Sequence, residues 1–386
     1  MLPISRRVIF LLFALGLEFS FKKIVKVGGS AIIAACTIIF SMILVGVSVG
    51  SSFGWQRMDC LFLGGMIAMS STTIIYKAFD DLGLLKKQFT GLVLSVLILE
   101  DILAIVLMVI LSTMAVSHNF EGVEMLQSIA KLMFFLILWF VVGIYLIPEL
   151  LKRCRKLMGE ETLLIVSLGL CFGMVVVAAH TGFSAAFGAF IMGSILAETV
   201  EAESIERLVK PVKDLFGAIF FVSVGMMVDP GMIVEYAVPI LVITLAVLLG
   251  QSFFGTLGML LSGQSLKTSM QCGFSLTQIG EFAFIIASLG VSLGVTSHFL
   301  YPIVVAVSVI TTFLTPYMIR LADPASAFVD AHLPEHTRRF LNRYASSSQT
   351  VNHESLWKRL IVSLVRITVV YSIICVAVIA LSFRFL

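Results

Sequence analysis

Between Phe89 and Leu111 the chain runs apolar for long enough to cross a bilayer as one helix, and in the middle of that run stand two adjacent acids, Glu100 and Asp101. An acid at the centre of a membrane helix costs on the order of 2.5–3.5 kcal/mol on insertion, so such residues face a bundle interior or a water-filled cavity and mark a path for protons or ions. The pair restricts the fold to a bundle of spanning helices around a polar centre. It also makes transport of a proton or a cation the first functional expectation.

The rest of the chain agrees with a membrane setting. It is 59% hydrophobic and only 13% charged, about half the charged share of an ordinary soluble domain, so its length does not count soluble domains. The net charge of +3 is spread over loops and points to no nucleic-acid partner. Cys36, Cys60, Cys154, Cys171, Cys272 and Cys375 show neither metal-ligand spacing nor a secreted disulfide framework, and most lie in apolar runs, so they are read as reduced packing residues. The start, Met1 to Phe21, has no small-residue cleavage site and is not read as a cleavable signal peptide.

Apolar runs predict an all-α polytopic membrane protein of about twelve spans, near residues 8–21, 29–51, 60–78, 89–113, 127–148, 162–179, 183–198, 212–228, 237–262, 268–293, 298–320 and 358–383. The first run is short, which suggests that its beginning is missing. Lysine and arginine collect in alternate loops. Lys22 and Lys23, Lys77, Lys86 and Lys87, Lys152 to Lys156, Arg207 to Lys213, Lys267, and Arg320 to Arg359 follow the odd-numbered spans, and the loops between hold little more than Arg57. The positive-inside bias therefore puts the ends of the odd spans in the cytoplasm. The domains expected are a membrane domain over 1–322, a cytoplasmic linker over 323–356 that is part helix from Phe328 to Tyr344, and one further span over 357–386 after which the polypeptide is expected to continue.

Two spans look interrupted. Ser70-Ser71-Thr72-Thr73 puts four consecutive hydroxyls at membrane depth, where their oxygens can satisfy freed backbone groups or ligate a desolvated cation. In the tenth span, Gly273 to Glu281 carries Ser275, Thr277, Gln278 and Gly280 beside an acid. Breaks at corresponding places in two halves are the best sequence pointer to a transporter site. The alternative is that the hydroxyls only bond back to their own helices or glue neighbouring ones.

The segments Leu11 to Lys23, Ser70 to Ile75, Ser95 to Asp101, Gly182 to Phe190, Phe220 to Met226 and Gln278 to Phe284 resemble, in order, the motifs of the monovalent cation:proton antiporter-2 family, which includes the Kef-type potassium/proton antiporters. The resemblance covers roughly residues 8 to 322. It implies a sodium/proton antiporter-like fold of about thirteen helices built as inverted repeats, with a dimerisation domain, a mobile core and two crossed discontinuous helices, here the third and tenth spans. It also implies that about two N-terminal spans are absent, that the chain forms a homodimer, and that it lies in the bacterial inner membrane.

Carried over by that resemblance, Asp101 is the ion- and proton-binding aspartate, and Glu100 matches a position that holds another acid, Asn or Gln in different branches. Ser70, Ser71, Thr72 and Thr73 belong to the first broken helix, and Ser275, Thr277, Gln278 and Glu281 to the second. Gln251 stands where electrogenic relatives place a buried lysine. Without that cation, Glu100 either stays protonated or bonds a hydroxyl or amide.

The expected mechanism needs little more than one carboxylate. Asp101, held out of bulk water, binds a proton or a dehydrated monovalent cation but not both, and competition for one site gives exchange once the core rocks between two exposures. Gln251 then predicts one cation per proton. Sodium and potassium are not distinguished by the residues; the Kef-type motifs favour potassium. The other classes considered are an ion-coupled solute symporter or channel on a related inverted-repeat fold, which would need a larger and less acidic cavity, and an inactive scaffold. No nucleophile, base and orienting group share a cluster, so the chain is not read as an enzyme, and no cofactor is expected. Glu18, near Lys22, reads as a structural or gate residue. Glu281 is divided between helix-end bonding and ion access. Asp229-Pro230 reads as a turn, His180 as a surface residue, and Glu198 to Glu206 as a solvated cytoplasmic helix.

Overall fold

The structure is a computed structural model and describes residues 29–116, 159–180, 185–226 and 230–336, with residues 9, 10, 12–14, 16, 17, 143, 147–149, 151–153 and 338. The expectations for Glu18 and Lys22, most of the fifth span, Cys154, Asp229, the linker beyond 338, Cys375 and the last span lie outside the described residues.

Among the described residues every regular element is a helix. They are α1 (Gly29–Ser52), α2 (Arg57–Ile67), α3 (Thr72–Asp81), α4 (Gln88–Val116), α5 (Glu160–His180), α6 (Ala185–Ala197), α7 (Ala202–Met226), α8 (Pro230–Glu235), α9 (Ala237–Leu261), α10 (Leu266–Ser275), α11 (Glu281–Ser292) and α12 (Leu300–His332). Six stretches are long and apolar enough to cross a membrane: Gly29–Ser52, Arg57–Asp81, Gln88–Met108, Glu160–His180, Ala237–Leu261 and Leu300–His332. Leu241, Leu245, Leu249 and Phe253 on α9, and Val309, Phe313 and Tyr317 on α12, lie exposed, as they do where a helix faces lipid. The chain is a multi-pass membrane protein.

Two boundaries differ from the sequence expectation. Glu198 and Glu201 lie in a turn, and the end of the acidic run, from Ala202 to Glu206, joins the span after it in one helix, α7, which continues through Pro211. α12 runs on to His332 through Pro316 and Pro324, so residue 323 is not an end of secondary structure. His180 closes α5 and is exposed, as expected.

Helix ends follow local chemistry. Ser71 accepts from Ile74 N at 3.3 Å and caps α3, and Ser265 accepts from Thr268 N at 3.3 Å and caps α10. α3 stops where Gly83 takes φ +67°, with Leu84 N donating to Phe79 O at 2.8 Å, the bond that closes a Schellman end.

Packing repeats itself in two groups of three. In the first, straight α1 lies on the interrupted α2–α3, followed by straight α4; in the second, straight α9 lies on the interrupted α10–α11, followed by straight α12. α1 and α9 also pack on each other. In each group the first straight helix meets the broken one glycine to glycine: a Cβ on Gly46 would lie 2.4 Å from Gly64 Cα, and one on Gly255 would lie 2.8 Å from Gly273 Cα. Where lipid is as apolar as the side chains, such small-residue contacts let backbones approach and gain dispersion contacts. α5, α6 and α7 pack together as a separate set.

The half-helices α2 and α11 share one end of the bundle. There the buried Asp59, in the first turn of α2, accepts from Ser297 N and from Ser297 Oγ, both at 2.7 Å. Beside this clasp Phe53, Trp55, Phe299 and Tyr236 form a chain of ring contacts with centroids 4.9–5.5 Å apart, the kind of aromatic cluster that suits a membrane interface. At the opposite end Asp323 on α12 accepts from Gln271 Nε2 at 2.9 Å and lies 3.6 Å from Lys267 Nζ; this exposed pair contributes little. Asp59→Ala leaves the Ser297 N–H without its acceptor and is expected to lower stability by about 1.5–3 kcal/mol, with Asp59→Asn losing less. Thermal melting of the detergent-purified variants checks this, and equal melting of Asp59→Ala and wild type would refute it.

Candidate ion-binding site at the helix crossing

α2 ends at Ile67 and α3 begins at Thr72; α10 ends at Ser275 and α11 begins at Glu281. Each interruption frees backbone groups that cannot stay unpaired away from water. The structure pairs them largely with the other interruption. Gly280 N donates to Met69 O at 2.7 Å, Ser70 Oγ donates to Leu276 O at 3.0 Å, and Gln278 Nε2 donates to Ser71 O at 2.9 Å. The two discontinuous helices therefore cross in contact, with Gly280 lying against the Ser70 backbone.

Straight helices serve the remaining groups. From α9, Gln251 Nε2 donates to Ile67 O at 3.1 Å. From α4, Glu100 Oε2 accepts from Ser70 N at 3.0 Å. From α12, Thr311 Oγ1 accepts from Ile279 N at 3.3 Å and Ser308 Oγ donates to Ile279 O at 3.1 Å.

The two adjacent acids diverge as neighbours on a helix must. Glu100 is fully buried and turned onto the first break, bonding an amide, one of the two alternatives read from the sequence. Asp101 is half-buried, and its Oδ2 accepts from Thr72 Oγ1 at 3.2 Å. Thr72 is the first residue of α3, so the Asp101 carboxylate lies at the positive end of that half-helix dipole, where negative charge is favoured. Glu281 opens α11 in the corresponding way and is half-buried.

The expected site residues thus divide. Ser70, Ser71, Thr72, Gln278, Glu100, Asp101 and Gln251 all meet the first break. The hydroxyls of Ser70 and Ser71 are engaged in holding backbone, whereas that of Thr72 reaches a carboxylate. Thr73 lies exposed on α3 and joins none of these contacts. Ser275 and Thr277 are buried, and their hydroxyls bond back to Gln271 O at 2.6 Å and Phe274 O at 3.0 Å, the local use that the alternative reading foresaw. Among the described residues no hydrogen-bond donor meets the buried acceptor oxygens Glu100 Oε1, Gln251 Oε1 and Gln278 Oε1; such oxygens suit a cation, and the Glu100 carboxyl also a proton. Among the described residues no group of His, Cys, Asp and Glu could hold a metal ion in the manner of a zinc site, and Cys36, Cys60, Cys171 and Cys272 are free thiols.

Ser308 and Thr311 were not singled out from the sequence. Their signal was present: Ser308, Thr311, Thr312 and Thr315 put hydroxyls at helical spacing along one side of an otherwise apolar span.

A sequence profile described as "Sodium/hydrogen exchanger, transmembrane" matches residues 7–321. The chain is 30% identical over 327 residues to a putative cation/proton antiporter, YbaL, of Escherichia coli, covering 82% of this chain and 58% of that protein. It is 31% identical over 290 residues to a K(+)/H(+) antiporter subunit, KhtU, of Bacillus subtilis, covering 75% of this chain and 71% of that one. The fold is similar to that of the sodium proton antiporter NhaP1 from Methanocaldococcus jannaschii, with a TM-score of 0.62, 16% identity and 84% of each chain covered. With a family-wide match over most of its length and a shared fold, this chain belongs to the sodium/hydrogen exchanger family of membrane cation:proton antiporters.

Proposed function

We propose that the chain is the membrane unit of a secondary antiporter that exchanges a monovalent cation for protons by alternating access at Asp101. The observation that carries this reading is the place of Asp101: a half-buried carboxylate at the start of α3, beside two crossed helix breaks, within reach of a hydroxyl. A carboxylate there can trade a proton for a dehydrated cation. The repeated straight–broken–straight pattern, with its matching glycine contacts, supports two inverted repeats that can rock as a unit. About twelve spans, basic loops in the cytoplasm, a homodimer and a bacterial inner membrane complete the proposal. Potassium is favoured over sodium, in keeping with relatives named K(+)/H(+) antiporter and K(+) efflux antiporter. Proton movement in everted vesicles, followed with a pH-sensitive dye after adding each chloride salt, tests this. A response to potassium above sodium and lithium is expected; equal responses would defeat the selectivity, and no response the antiport.

Gln251 is neutral and holds Ile67 O, so we propose one cation per proton. The membrane potential acts on a moved charge with about 2.3 kcal/mol per 100 mV, and one-for-one exchange moves none. Proteoliposomes given a diffusion potential should therefore show no voltage-driven proton flux. A clear flux that disappears in Glu100→Gln would mean that Glu100 carries a second proton.

A further inference from the structure

α12 enters the second break from the side and supplies both partners of one residue. Ile279 N donates to Thr311 Oγ1 and Ile279 O accepts from Ser308 Oγ, and both hydroxyl side chains are buried. Ile279 stands two residues before the first residue of α11, as Ser70 stands two residues before the first residue of α3. Ser70 N is bonded by Glu100, on the straight helix that follows its break; Ile279 N is bonded by Thr311, on the straight helix that follows its own. The next residues correspond as well, since Asp101 and Thr312 are both half-buried. Thr311 therefore occupies in the second group the place of Glu100 in the first.

We propose that Thr311 and Ser308 are positioning residues for the exchange, fixing the second break so that Gly280 and Gln278 stay seated on Met69 and Ser71. The proposal rests on the antiporter reading above. Ile279 lies between Gln278 and Gly280, which make the bonds to the first break. Releasing Ile279 loosens both bonds, and with them the segment that Thr72 and Asp101 border. A neutral hydrogen bond of this kind is worth up to roughly tenfold in an equilibrium constant.

The test is the apparent KM for the transported cation in everted vesicles. Thr311→Val should raise it severalfold, up to about tenfold, and Thr311→Ser, which keeps the hydroxyl, should restore it. Thr315→Val removes a hydroxyl that, among the described residues, bonds Thr311 O of its own helix alone, at 2.8 Å, and should leave the KM at the wild-type value. If Thr311→Val does not accumulate in the membrane, Ser308→Ala carries the same expectation, because it frees the other group of Ile279. A KM within about twofold of wild type in Thr311→Val or Ser308→Ala, or no rescue by Thr311→Ser, would overturn the role. A wild-type protein without cation-dependent proton flux would instead overturn the antiporter reading, and this role with it.

Discussion

Asp101→Asn should abolish cation-dependent proton flux in everted vesicles, to the level of empty membranes, while the protein still inserts and purifies as wild type does. The substitution is nearly isosteric, and its amide oxygen can still accept from Thr72 Oγ1, the contact that the aspartate makes at 3.2 Å. What it removes is the titratable charge. An amide cannot take up or release a proton in this pH range, and it offers a dehydrated cation a dipole where the carboxylate offered a full negative charge at the start of α3. Both substrates lose the same group, so the loss should be complete rather than a shift in affinity. Glu100 bonds the Ser70 amide from a fully buried position and is not placed to substitute. Retained wild-type exchange in folded Asp101→Asn would show that the carboxylate at the crossing is not where proton and cation compete.

Much of this arrangement was legible in the sequence because the membrane makes deviations expensive. Acids, consecutive hydroxyls and glycine-rich stretches inside apolar runs marked α4 and both interrupted helices, since each would be costly without a polar neighbour. The order of motifs made the family legible as well. The division of labour among those residues was not. Ser70 and Ser71 look as able to ligate a cation as Thr72 does; only the crossing shows that Ser70 Oγ is engaged with Leu276 O, some two hundred positions along the chain. Thr73 carries the same chemistry as Thr72 but faces outward, because the helix restarts one residue earlier. Gln251 was legible as a missing charge, yet its bond to Ile67 O is a tertiary fact. Ser308 and Thr311 escaped for a related reason. Hydroxyls in an apolar helix usually bond their own preceding turn, as Thr315 does, and sequence cannot separate that use from capping a neighbour's break. α7 and α12 extend beyond the charged residues that bound their apolar runs, because a helix can continue past the bilayer with polar residues on it, and hydropathy marks the span rather than the helix.

The crossing itself depends on Gly280, and Gly280→Ala is expected to destabilise the protein by about 3–5 kcal/mol and to remove most or all exchange. Backbone preference is not the cause, because Gly280 sits at φ −86° and ψ 177°, a conformation open to alanine. The cause is contact. A Cβ there would lie 2.4 Å from Ser70 O, 2.5 Å from Ser70 C and 2.8 Å from Ser71 N. All three are backbone atoms of the other break, so no rotamer can relieve the overlap and the two segments must separate by a sizeable fraction of an ångström. Overpacking of this kind costs roughly 1–3 kcal/mol. The separation also stretches the bonds that stitch the crossing, Gly280 N to Met69 O, Ser70 Oγ to Leu276 O and Gln278 Nε2 to Ser71 O, each worth about 1 kcal/mol. Gly91 supplies the comparison. It lies on α4 with nothing within 4 Å of an added Cβ, so Gly91→Ala should match wild type or gain slightly from helix propensity. Melting temperature in detergent and flux in vesicles should fall together in Gly280→Ala and in neither assay for Gly91→Ala. A Gly280→Ala protein that melts and exchanges like wild type would mean that the two breaks do not meet as closely as their bonds require.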